Sequence, residues 1–129
     1  MKAYTDIDQS KKLAEILPIE SADMYYFTII RDYPYSQGKI KTIAKIMDGS
    51  FSSDYDTPCW SLAPLRDCLP SGISIDGILY VFESHNTFDN EWVYEYKFED
   101  ISAPLYSKSS NEIDAAVEMI IQLKENKMI

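Results

Sequence analysis

Two cysteines, Cys59 and Cys68, and a single histidine, His85, are the side chains of this chain best suited to nucleophilic chemistry. A cysteine enzyme needs a thiolate beside a base. Cys59 stands close to the start of an expected helix, where the dipole favours the anion, and His85 falls in an expected hairpin turn. Nothing in their spacing brings the two together, so an inert thiol and a solvated imidazole are the preferred reading. The cysteines lie nine residues apart on or beside one short helix, on opposite sides and too distant for a disulfide, so free thiols are expected. Asp48, Asp54 and Asp56 in DGSFSSDYD lack the glycine and terminal glutamate of an EF-hand loop and read as a solvated acidic segment. Two cysteines without a CxxC pair, with one histidine, do not supply four zinc ligands at the usual spacings. Gly38, Gly49, Gly72 and Gly77 are too scattered for a phosphate-binding loop. No catalytic residue, metal ligand or cofactor is therefore assigned, and the balance leans away from an enzyme.

Charge narrows the partners. Twenty-one acidic residues against twelve basic ones leave a formal charge of -9. That field repels nucleic-acid phosphates and anionic membrane surfaces, and it favours a basic protein partner or plain solubility. Lys39, Lys41 and Lys45 would form only a local stripe, best read as a solvated sheet face. The start, MKAYTDIDQS, has no apolar signal core and no run reaches the length of a membrane span, so a cytoplasmic location is expected. With 46% apolar residues over 129 positions, one domain covering 1–129 can bury its own core.

The elements that must position these residues follow from periodicity. Residues 4–17 predict a helix with Thr5 and Asp8 as an approximate capping box, ended by Pro18. Met24–Ile30 predicts a strand, Arg31–Gly38 a turn, and 39–47 a strand, although its apolar spacing suits a helix as well. Asp48–Thr57 reads as a loop. In PCWSLAPLRDCLP, Ser61 as N-cap places Pro64 in the first turn, where its missing N–H costs nothing, and Pro70 stops the helix. Ile75–Ser84 and Glu91–Glu99 predict an antiparallel hairpin joined by HNTFDN, with Trp92, Tyr94, Tyr96 and Phe98 on one face. Asn111–Glu125 predicts the last helix, with Ser110 as N-cap and Asn126 in the left-handed position at its end. The expected fold is α+β: an antiparallel sheet of about four strands with three helices packed together or on the sheet.

Three blocks, YTDIDQSKKLAEILPIESADMYY, PCWSLAPLRDCLP and IDAAVEMIIQLKENKMI, resemble a family of short, acidic, uncharacterised proteins of gut anaerobic bacteria, often associated with prophages and other mobile elements. Pro64 and Arg66 depart from the family's more usual SLAALLELLP run, as does the KENKMI ending. The resemblance implies a mobile-element context and no activity.

Core packing is the default for Trp60 and for the aromatic side of the hairpin. If that side instead meets a ligand, Trp60, Tyr80, Trp92, Tyr94 and Tyr96 are the binding candidates. The leading expectation is a small intracellular interaction module, an acidic adaptor or inhibitor. The alternative is a small-molecule-binding domain or enzyme with a pocket between the hairpin 75–99 and the helix after Trp60. A homodimer formed by strand pairing along residues 91–99 is a third route.

Overall fold

A computed structural model describes residues 2–30, 40–46 and 57–129, with side chains described outside 27–30 and 40–46. The Arg31–Gly38 turn, the acidic segment Asp48–Asp56 and the side chains of the lysine stripe lie outside the described residues.

The chain begins with α1 (Ile7–Ala14), followed by β1 (Met24–Ile30), β2 (Ile40–Ile46), β3 (Thr57–Cys59) and α2 (Leu62–Asp67). It continues through β4 (Gly72–Ile75), β5 (Ile78–Asn86), β6 (Trp92–Phe98), β7 (Ile101–Ser109) and α3 (Glu112–Glu125). The strands form two antiparallel sheets, ordered β2-β1-β3 and β4-β5-β6-β7. This is an α+β fold with the expected four-stranded antiparallel sheet and three helices, and a second sheet separates β1 and β2 from the hairpin. Alternation thus prevails over helical spacing in residues 40–46.

The starts of α1 and α3 are each displaced by one residue from expectation, for a local reason. Asp6, not Thr5, caps α1: its carboxylate accepts from the Gln9 N–H at 2.8 Å while the Gln9 side chain accepts from the Asp6 N–H at 3.1 Å. Thr5 is instead fully buried, and its hydroxyl meets Ser10 at 2.7 Å and the Trp60 N–H at 3.2 Å. Asn111 caps α3, its side chain accepting from the N–H groups of Ile113 and Asp114. At the other end Asn126 has φ -93, and Lys127, at φ 58, takes the left-handed position assigned to Asn126. Ser61 does stand at the N-cap of α2, yet its side chain makes no cap bond; its hydroxyl and N–H both bond to Asp23.

Ile75–Ser84 is not one strand. Asp76 and Gly77, at φ 52 and 83, turn the chain between Ile75 and Ile78, which pair. Positive φ at both central residues is what a two-residue hairpin requires, and Asp-Gly supplies it with little strain. β5 then runs to Asn86, so His85 lies in the strand and not in the following turn. β7 has no counterpart in the sequence expectation. It lies against β6, which is therefore an interior strand, and strand pairing of two copies along residues 91–99 is excluded because both of its edges are occupied.

One face of the four-stranded sheet carries the core. Ile73, Tyr80, Tyr94, Tyr96 and Leu105 are buried there with Leu65 and Leu69 and with the apolar stripe of α3: Ile113, Ala116, Val117, Ile120 and Leu123. Phe82 meets Tyr94 and Tyr96 in edge-to-face and tilted contacts, at centroid separations of 5.2 and 5.5 Å. The Tyr94 hydroxyl donates to Glu112 at 2.9 Å and that of Tyr96 to the Pro70 carbonyl at 2.7 Å, so the buried phenols keep partners. At the amino-terminal side, Lys2 joins Asp6 and Asp114 at 3.0 and 2.7 Å, tying the start of the chain to the first turn of α3.

Candidate functional site

Residues directly opposite one another in an antiparallel sheet share a face. Val81 opposes Lys97, Glu83 opposes Glu95, which opposes Tyr106, and His85 opposes Val93, which opposes Lys108. All of these, with Leu79, project from the side opposite the buried Tyr80, Tyr94, Tyr96 and Leu105. α3 packs on the core side; on the other face, among the described residues, Leu79 retains 59% of its exposure, Val81 49% and Tyr106 46%, whereas Val93 and Glu95 on the interior strand are buried. Apolar side chains standing this far out on neighbouring positions of one sheet face mark an interaction surface more strongly than scattered ones do.

The middle of the open face carries opposed carboxylates. Glu83 is exposed, whereas Glu95, on the interior strand, is buried to 9%. Neither forms an ion pair or hydrogen bond among the described residues. Glu95 lines a shallow depression with Lys97, Asp100, Ile101 and Tyr106. Like charges directly across a ladder repel, and Lys97 and Lys108 stand at neighbouring positions of the same face.

The five aromatic candidates separate into two groups. Trp60, Tyr94 and Tyr96 are fully buried and Tyr80 nearly so, all in the core. The Trp60 indole N–H donates to the Ser21 hydroxyl at 3.0 Å, and its backbone carbonyl accepts from the Thr5 N–H at 2.9 Å. Trp92 lines a cleft of about 240 Å³ shared with Leu62 and Ile113 and closed on its polar side by Lys2 and Glu112. Lys2 is committed to Asp6 and Asp114, and Glu112 to Arg66 and Tyr94. The interface between the hairpin and α2 is filled by Leu65, Tyr94 and Tyr96, and the cleft opens at its margin.

The thiols carry no activating environment. Cys59 sits in β3, fully buried, and its Sγ donates to the Thr5 carbonyl at 3.5 Å. Burial raises the pKa of both Cys59 and Cys68, which keeps them protonated at neutral pH, opposite to what a nucleophile needs. Both are free, as their spacing predicts. Among the described residues no group of three or more His, Cys, Asp or Glu converges to hold a metal, and no helix is long and apolar enough to cross a membrane. Leu79, Val81, Glu83 and Tyr106 were missed as candidates; the signal for Val81 and Glu83 was the other half of the same alternation in residues 78–86.

No family model, no curated protein and no solved structure matches this chain.

Proposed function

We propose that this chain is a small protein-interaction module that docks through the open face of its four-stranded sheet onto a partner presenting a basic, partly apolar surface. The observation that carries the reading is the exposure of Leu79, Val81 and Tyr106 around the unpaired Glu83 and Glu95. Burying the three exposed side chains would supply the non-directional part of the affinity, at roughly 25 cal/mol per Å² before association costs. The chain's charge of -9 would steer a basic partner to the encounter. Free thiols fit a reducing cytoplasm, and an adaptor or inhibitor of a host protein, encoded on a mobile element, is the role this reading favours.

The test is affinity capture by the tagged full chain from lysate of the parent organism, at low and high salt, with proteins and nucleic acids in the eluate identified. The reading predicts a stoichiometric basic protein that is lost as salt rises and lost from Leu79→Asp. Capture unaffected by Leu79→Asp, or a nucleic acid as the retained species, contradicts it.

A further inference from the structure

We propose that the partner adds a strand to the free edge of β4: an extended, basic segment pairs with Gly72 and Ser74. The inference rests on the docking reading and names its mode of recognition. The Phe82 N–H donates to the Ser71 carbonyl at 3.0 Å, and Ile73 and Ile75 stand opposite Tyr80 and Ile78. Backbone bonding alternates along an antiparallel ladder, so residues 71, 73 and 75 turn their N–H and C=O groups inward to β5, and those of Gly72 and Ser74 turn outward. β4 ends the sheet, and among the described residues these outward groups have no hydrogen-bond partner. Unpaired donors and acceptors in this spacing are met by one kind of occupant, another extended chain.

The two edges of the sheet are built differently. On β7 the Gln122 side chain bonds to the Tyr106 backbone and Pro104 interrupts the strand, whereas β4 carries no lysine, proline or register shift. A three-residue pairing already holds β3 on β1, so a strand as short as β4 is long enough to pair. Side chains add to the backbone groups. Gly72 and Ser74 stand opposite Val81 and Leu79 on the outer face, and Leu79 Cδ1 lies 3.1 Å from where a Cβ on Gly72 would sit. The exposed leucine therefore lies over the glycine, within reach of an apolar side chain on an added strand. The charge of -9 opposes a second copy of this chain at that edge and favours a basic segment.

The experiment is an NMR titration of the full chain with a capped peptide of alternating valine and lysine. The control is the same peptide N-methylated at every residue, which keeps its side chains and charge and has no N–H to give an edge. Saturable amide shifts along Gly72–Ile75, with slowed hydrogen exchange at Gly72 and Ser74, are expected from the first peptide and not from the second. Ser74→Pro removes an outward N–H and no bond to β5, so it should fold and weaken binding about tenfold, the worth of one such bond. Should Ser74→Pro fail to fold, the N-methylated peptide makes the same test on the wild-type chain. Equal response to the two peptides, no response to either, or Gly72 and Ser74 amides already protected by self-association of the free chain overturns strand addition. Partner capture lost from Leu79→Asp but kept by Ser74→Pro also overturns it and leaves the docking reading intact. Slowed exchange at Gly72 and Ser74 with capture indifferent to Leu79→Asp does the reverse.

Discussion

Gln122 of α3 and Tyr106 of β7 are joined by two hydrogen bonds between a side-chain amide and a backbone. The Tyr106 N–H donates to Gln122 Oε1 at 3.2 Å, and Gln122 Nε2 donates to the Tyr106 carbonyl at 2.7 Å. The amide takes the place of a further strand at the outer edge of the sheet. Pro104, two residues earlier on β7, falls in the register shift where β7 has no paired residue on β6, so its missing N–H costs the ladder no bond. Together the two residues blunt an edge that would otherwise invite a second chain.

Gln122→Ala therefore has two expected consequences. Urea unfolding should register a loss of about 0.5–1.5 kcal/mol, the net worth of such bonds. Light scattering should register new self-association at high concentration. A variant that remains as monomeric as wild type would show that Gln122 does not protect the edge.

Trp60→Ala should cost roughly 3–5 kcal/mol, because it empties a fully buried site at the junction of Thr5, Ser21 and the core. Trp60→Phe keeps most of the ring and loses the Ser21 bond, so a smaller loss is expected. Thermal unfolding separates the three proteins, and an unchanged melting temperature in Trp60→Ala would refute the anchor role.

Glu83→Gln should stabilise the chain. Relief of directly opposed like charges is worth about 0.2–1 kcal/mol at neutral pH, and the gain should shrink in high salt. Destabilisation by this substitution would mean that an unseen compensation holds the pair.

Alkaline pH should unfold the protein through its phenols. Desolvation on burial pushes Tyr26 up to about 12, and raises Tyr94 and Tyr96 further, with the Glu112 carboxylate adding to the effect at Tyr94. The unfolded phenols release their protons near pH 10, so above that value the unfolded state binds fewer protons and stability falls as pH rises. The contribution is complete below about pH 10 and is lost as pH passes through 12. Absorbance at 295 nm followed against circular dichroism should show these phenols ionising together with unfolding; their ionisation at ordinary pH in the folded chain would contradict the burial.

Much of this architecture was legible wherever one face of an element is buried. The stripe from Ile113 to Leu123 and the alternation through Tyr94 and Tyr96 both announce their partners. β7 was not legible, because Pro104 and the serines at 102, 107 and 109 erase the apolar alternation, and its pairing is imposed by β6. The Asp76-Gly77 turn was written in the sequence but hidden inside an apolar run. The outer face was half-legible: Leu79 and Val81 alternate with Tyr80 and Phe82, but only the packing of α3 on the other side identifies which of the two sets is buried. The opposition of Glu83 and Glu95 depends on register, which no single strand encodes.

Hydroxyl-radical footprinting of the tagged chain, alone and within lysate of the parent organism, tests docking through this face most directly. The account predicts that Leu79, Val81 and Tyr106 lose reactivity in lysate, while the fully exposed Phe88 in the β5–β6 turn keeps its own. Unchanged labelling of those three residues, with protection appearing instead at Leu62 and Trp92 around the cleft beside α3, would contradict it and place recognition at the cleft.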